Sequence, residues 1–152
     1  MRTLMMRVCP MMIDDKQEWA ELRNRLWPTS KGPHEQDIEE YLCGDSHDIV
    51  TAFGVRDSED SLVGFIEINV RSHAEGAPNK YVPYIEGWYV SDSKRGQGYG
   101  SALIKSAEAW AKERGFSHMA SDTELSNEAS ITLHKKLGFD EVERSVNFIK
   151  SL

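Results

Sequence analysis

The chain has 152 residues, 39% of them hydrophobic, enough to bury the core of one compact domain. No apolar run is long enough to span a bilayer, and residues 1–12 lack the layout of a secretory leader. Asp and Glu number 25 against 18 Lys and Arg, a formal net charge of −7 that excludes the basic face of a nucleic-acid binder.

The two cysteines, Cys9 and Cys43, fall short of a zinc set and read as free thiols of a cytoplasmic protein. Residues 1–6 read as an unstructured tail. Arg7–Met11 reads as a short strand ended by Pro10 and a turn at Asp14. Asp15–Trp27 reads as a helix with Trp19, Leu22 and Leu26 on one face, Asp14 as its N-cap and Pro28 as its stop. His34–Leu42 is a second short helix. Ile49–Val55 and Leu62–Val70 are apolar and β-branched, and the polar turn Arg56–Ser61 joins them into an antiparallel hairpin. Ser72–Tyr81 is a loop with Gly76 and Pro78, and Val82–Val90 is a strongly β-prone strand. Gly100–Arg114 is a helix with Leu103, Ile104, Ala107, Trp110 and Ala111 on its buried stripe, closed by Gly115. His118–Asp122 reads as a strand, Ser126–Leu137 as a helix closed by Gly138, and Phe139–Val142 and Ser145–Ile149 as closing strands. The order is β-α-α-β-β-β-α-β-α-β-β, a mixed α/β chain around one central sheet with neither repeat nor linker.

The stretch richest in chemistry is Tyr89–Ser101, YVSDSKRGQGYGS. A strand ends at Val90, and Arg95-Gly96-Gln97-Gly98-Tyr99-Gly100 opens straight into a helix. Glycines let a ligand approach the backbone closely, and the helix start offers unpaired N–H groups at the positive end of its dipole. Lys94 and Arg95 add positive charge, so the segment reads as a seat for a pyrophosphate. A P-loop would end in Gly-Lys-Ser/Thr, and a dinucleotide fingerprint would follow the first strand with other glycine spacing.

The pattern Arg95-x-x-Gly98-x-Gly100 resembles the acetyl-CoA signature of the GNAT superfamily of N-acetyltransferases. Asn127 with Lys136-Leu137-Gly138-Phe139 resembles its second signature. The resemblance implies a GNAT fold over residues 1–152 as a single domain: a mixed sheet of about six to seven strands, splayed at the cofactor site and flanked by about four helices. It implies acetyl-CoA as donor; separately, His34, His47 and His118 have no companions at ligand spacing, so no metal site is read. The pantetheine arm would pair with the backbone of Trp88, Tyr89 and Val90 as an added strand, and the Val90 N–H would polarise the thioester carbonyl and hold the oxyanion. The pyrophosphate would lie on Gly96, Gln97, Gly98, Tyr99, Gly100 and Ser101 beside Arg95.

Glu-Leu-Arg-Asn-Arg-Leu-Trp in the first helix, Ile-Glu-Gly-Trp-Tyr-Val in the central strand, Ala-Glu-Ala-Trp-Ala-Lys in the main helix and Ala-Ser-Asp at Asp122 resemble the aminoglycoside 6′-N-acetyltransferases, which confer antibiotic resistance. By that resemblance Trp27, His73, Glu86, Asp122 and Glu143 contact the aminoglycoside, and Asn127 the cofactor. His73 stands where some of the family has tyrosine, and His134 stands near the family's usual tyrosine proton donor. The resemblance also implies a homodimer, in some members formed by exchange of the C-terminal strand.

Each of these residues has a plainer role as well. Glu86, in an apolar strand, serves either as an ammonium anchor and base or as partner of an Arg or Lys. Asp122 is an acceptor contact, a base or a turn former. Trp27 packs or stacks on a sugar, Asn127 caps a helix, Glu143 is a solvated charge, and His134 is a core histidine bonded to backbone. The expected reaction is direct transfer in a ternary complex, with acidic side chains (Glu86, Asp122, Glu143 and also Glu75 or Glu124) drawing in a polycationic amine. The alternatives are a GNAT enzyme acting on a polyamine or a protein amine, and a non-catalytic acetyl-CoA-binding module.

Overall fold

A computed structural model of the chain describes residues 5–28 and 34–152. Four strands form one antiparallel sheet in the order β1-β2-β3-β4: β1 is Arg7–Pro10, β2 Thr51–Arg56, β3 Leu62–Arg71 and β4 Val82–Val90. From Phe65 onward β3 alternates between two faces, as a pleated strand must. Ile66 and Ile68 join Leu103, Ile104, Ala107 and Trp110 of α3 (Tyr99–Glu113). Phe65 faces Trp19 and Leu22 of α1 (Lys16–Leu26) and Ile38 of α2 (His34–Leu42). The sheet is therefore sandwiched between α1/α2 and α3. Burial of each large apolar side chain is worth about 2 kcal/mol, so these two interfaces rather than helix propensity hold the layers together.

The predicted first helix begins one residue late. Asp14 does not cap it; Ile13–Asp15 form a 3-10 turn, and the Asp15 carboxylate takes the Met12 N–H at 2.8 Å. Met6 lies partly buried against the α3-side core, so the expected tail does not include it; the expectation for residues 1–4 lies outside the described residues. The hairpin turn is held by Asp57, which accepts from the N–H groups of Glu59 and Ser61, each at 3.0 Å. Lys94 Nζ lies 3.2 Å from the same carboxylate.

These donors hold the Asp57 carboxyl below the usual aspartate range, the Ser61 N–H foremost. A depressed folded-state pKa adds stability above the unfolded value, lost as pH falls through the folded one. Asp57→Asn is therefore expected to lose about 1 kcal/mol at pH 7, a gap that starts to narrow below about pH 4 and closes only below the folded-state pKa. Urea unfolding at pH 7 and over an acid series below about pH 4 checks this, and a loss that stays constant down the series would refute the charge contribution.

The largest departure from expectation is at the C-terminal side. The sheet has four strands among the described residues rather than six to seven. His118–Asp122 pairs only at Ala120, which lies parallel to Tyr84; Ile85 N–H donates to the Ala120 carbonyl and Ala120 N–H to that of Pro83, both at 2.9 Å. The helix α4 (Glu128–Lys136) follows, with Gly138 at φ +97° ending it. The expected closing strands Phe139–Val142 and Ser145–Ile149 carry no strand pairing. Residues 140–152 run exposed, with Phe148 and Ile149 91% and 101% accessible. A strand needs a partner edge, and within the described chain this segment has none.

Candidate active site

The geometry of the cleft starts at a β-bulge. The β3–β4 register passes from Ile68↔Ile85 to Glu67↔Gly87, so Glu86 is the extra residue. A bulge re-aims a side chain and increases local twist. Beyond it β4 keeps β3 on one side but leaves the 118–122 segment on the other, opening a V whose vertex is the Ala120 bridge. The Ser91 N–H donates to the Val63 carbonyl at 2.8 Å, toward β3. By antiparallel alternation, the N–H groups of Trp88 and Val90 point into the V.

At the end of β4 the chain turns through Gly96 (φ +77°) and Gly98 (φ +91°) into α3. Gly98 is the N-cap in left-handed conformation; no side chain caps the helix and no acid lies in its first turn. A Cβ at Gly96 would meet nothing within 4 Å, so that face of the loop is open. An unpaired strand edge leading to an uncapped, positively polarised helix start fits a pantetheine arm and a pyrophosphate.

Side chains in this segment behave less uniformly than the sequence suggests. Lys94 is tied to Asp57, and Arg95 bonds the Val90 carbonyl at 3.0 Å and pairs with Asp92. The Tyr99 side chain is buried in the core, so only its backbone faces the loop. Gln97 Nε2 bonds the Ser93 carbonyl, and Trp88 Nε1 bonds the Gly100 carbonyl at 3.2 Å, bracing β4 against α3. Tyr89 lies on the opposite face, beside Phe65. Gly100 and Ser101 open α3. Asn127 caps α4 through Ser130 N–H at 3.0 Å, its plainer role.

On the α1/α2 side lies a cleft of about 810 Å³, within the range of small-molecule sites. Six carboxylates line it: Asp37, Glu40, Asp48, Glu67, Glu86 and Glu124. Trp27 forms one wall, its ring under the Arg23 guanidinium and edge-on to Phe65. A Cβ at Gly87 would stand 2.6 Å from the Trp27 ring, so glycine there lets the indole lie on the strand.

Glu86 is partly buried, with two donors on Oε2 and one on Oε1, which leaves Oε1 able to accept another. Arg71 grips it with Nε and Nη2 at 2.8 and 2.7 Å, and Asn69 Nδ2 adds a bond at 3.2 Å. Asp122 takes one bond, from the Tyr84 hydroxyl at 2.7 Å, and is otherwise exposed. Burial first, and the Asp122 bond second, raise the Tyr84 phenol and keep it a donor.

Three expected acceptor residues do not line this cleft: Asp122 is linked to it only through Tyr84 and Arg71, and His73 and Glu143 stand away from it. The His73 side chain is 79% exposed beside Glu75, and Glu143 sits on the exposed arm. His134 bonds the Ser130 carbonyl through Nδ1 at 2.7 Å, the backbone bond expected of a core histidine, and faces Ser121 Oγ with Nε2 at 2.8 Å. The sequence reading missed Arg71, Asn69 and Tyr84. Their signal was alternate spacing: Asn69 and Arg71 share one face of β3, and the hairpin to β4 brings them to Glu86.

Among the described residues no cluster of three or more His, Cys, Asp or Glu is placed to hold a metal ion, and no helix is long and apolar enough to cross a membrane.

A strand that parts from its neighbour beyond a bulge and runs into a glycine-rich, uncapped helix start has the shape to take an extended arm ending in a phosphate group. The pattern of the acetyltransferase (GNAT) family matches residues 16–139, and the chain belongs to that family. More narrowly, it is 38% identical to the aminoglycoside N(6′)-acetyltransferase type 1 of Klebsiella aerogenes over 95% of this chain and 96% of the relative. It is 37% identical to that of Serratia marcescens, over 91% and 94%. The solved aminoglycoside N-acetyltransferase AAC(6′)-Iy in complex with CoA superposes with a TM-score of 0.88 at 30% identity, covering 99% of this chain and 98% of that one. The same enzyme with a bisubstrate analogue, CoA-S-monomethyl-acetylneamine, gives 0.87 at 30% identity, covering 97% and 99%.

Proposed function

We propose that this chain is an aminoglycoside 6′-N-acetyltransferase, moving the acetyl group of acetyl-CoA to the 6′-amine of an aminoglycoside and so conferring resistance. The observation that carries the reading is the juxtaposition of an open, N–H-lined V with a cleft bearing six carboxylates. A polyamino sugar is cationic at neutral pH, and an acidic cleft attracts and orients it. The relatives named for this activity support the same substrate.

When bound, acetyl-CoA supplies the activated acyl group. The backbone edge at Trp88 and Val90 would hold its arm, and the Val90 N–H would supply a donor for the acyl oxygen. The backbone from Gly96 to Ser101 takes the pyrophosphate, with Arg95 beside it. Glu86, with both oxygens engaged by Arg71 and Asn69, anchors the acceptor ammonium. Asp122 keeps one oxygen free and takes the proton that the amine must lose before attack, directly or through water. Trp27 supplies an apolar wall for a sugar face.

The whole chain is read as one domain working in the cytoplasm, where acetyl-CoA is made; the free, exposed Cys9 and Cys43 suit a reducing compartment. A homodimer is supported by the arm. Val142, Val146, Phe148 and Ile149 are apolar and uncovered, and a second copy exchanging this segment would bury them and carry Glu143 toward a neighbouring site. A monomer by sedimentation would refute the dimer.

Thiol release from acetyl-CoA, measured with kanamycin, tobramycin, spermidine and a peptide amine, tests the activity. Release with the aminoglycosides is expected. Release only with spermidine or the peptide would overturn the substrate, and none with any amine would leave a binding module.

A further inference from the structure

The cleft holds a cation that the acceptor chemistry does not call for. Two arginines line it. Arg23 is buried and belongs to Glu67 and Asp37. Arg71, at the end of β3, is 40% exposed in its side chain and belongs to Glu86. The pair is bidentate and only partly shielded, so it can brace the strands as well as orient the groups around it. It also occupies a carboxylate that an incoming ammonium would use.

What sets Arg71 apart is its second contact. Its guanidinium carbon lies 3.6 Å from the centroid of the Tyr84 ring, while its fork grips both Glu86 oxygens. Tyr84 in turn donates its hydroxyl to Asp122 Oδ2 at 2.7 Å. Glu86, Arg71, Tyr84 and Asp122 thus form one unbroken line, tying a carboxylate on the bulge of β4 to a carboxylate on the far side of the V. The fork fixes the plane of the guanidinium, the ring lies against it, and the hydroxyl fixes one Asp122 oxygen while leaving the other free.

We propose that Arg71 is a positioning residue for acetyl transfer, setting the separation between the carboxylate that anchors the acceptor and the carboxylate that takes its proton. The inference rests on the acetyl-transfer reading above and adds to it a residue acting through Glu86 and through the Tyr84 ring. Lysine carries the same charge but neither the fork nor the flat face, so it cannot replace arginine here.

The test compares R71M, R71K, Y84F and the R71M/Y84F double variant with the parent, by thiol release from saturating acetyl-CoA with tobramycin. R71M is expected to lower kcat by about ten- to a hundred-fold, the usual effect of displacing a reacting group by about 1 Å. The KM for acetyl-CoA should stay within about two-fold of the parent, since a positioning effect falls on kcat rather than on donor binding. R71K should recover less than about a tenth of the lost rate. Y84F should also lower kcat, and the double variant should be no slower than R71M, because both act on Asp122 along one line.

Full recovery by R71K, multiplying effects in the double variant, or parental kcat in R71M would overturn the proposal. If R71M melts below the assay temperature, R71K and Y84F decide by the same criteria. A parent that releases no thiol with any amine of the panel removes the acetyl-transfer reading and this inference together, whereas an active parent with an equally active R71M removes this inference alone.

Discussion

Asp122→Asn is expected to lower kcat for aminoglycoside acetylation by about 10²- to 10⁴-fold, the range of a positioned general base. The substitution is nearly isosteric, and its amide oxygen can still accept the Tyr84 hydroxyl bond seen at 2.7 Å. Only the capacity to take a proton is removed. Binding of CoA, read by calorimetry, should be unchanged, because the V-side N–H groups and the α3 start are untouched. Glu86→Gln is expected to behave differently. It breaks the charged fork with Arg71 and weakens the ammonium anchor, so it should raise the KM for the aminoglycoside as well as lower kcat. Steady-state kinetics separate the two. Parental turnover in Asp122→Asn would remove Asp122 from the proton path and return that role to Glu86.

The second large effect is on stability. Glu67 is 1% exposed, accepts from Trp19 Nε1 at 2.9 Å, and lies 2.9 Å from Arg23 Nε. Burial pushes its carboxyl up, against the pull of Arg23 and Trp19. Glu67→Ala strands a guanidinium that is itself 8% exposed and leaves the indole N–H of a fully buried tryptophan without its partner. Breaking a buried pair from one side costs about 3–5 kcal/mol. Asp37, 3.0 Å from Arg23 Nη1, remains as a partly exposed partner and keeps the loss toward the lower end. Against a typical total of about 5–15 kcal/mol this is a large fraction. The paired replacement Arg23→Met with Glu67→Leu should recover most of it, since removing both charges leaves neither orphaned. Urea midpoints measure both, and a loss below about 1 kcal/mol in Glu67→Ala would show the pair to be energetically idle.

Much of this architecture was legible locally. His34–Leu42 and Val82–Val90 form as helix and strand over the predicted residues, and α3 differs from its predicted span by one residue at each end. Period and end signals suffice there: Gly98 at φ +91° opens α3 and Gly115 at φ +81° follows its end. The glycine-rich entry proposed to seat a pyrophosphate was legible as a conformation for the same reason, being a continuous run of backbone. Glu86 stood out as a carboxylate in an apolar strand. That its partner is Arg71 did not, because the pairing depends on a register broken by the bulge at Glu86 itself. Tyr84 looked like an ordinary β-former, and only the parallel bridge to Ala120 brings Asp122 to its hydroxyl.

The sequence alone determined the elements whose stabilising contacts lie within a few residues: the helices, the turn at Asp57 and the glycine-rich entry to α3. Tertiary structure decided how many strands the sheet has and which charges meet. Val142, Val146 and Phe148 have strand-like chemistry, yet a strand exists only where another backbone offers its hydrogen bonds, and residues 140–152 find no such edge in the described chain. Likewise a carboxylate becomes an anchor or a base only through the donors folding places around it, and those lie 15 and 38 residues away from Glu86 and Asp122 in the chain.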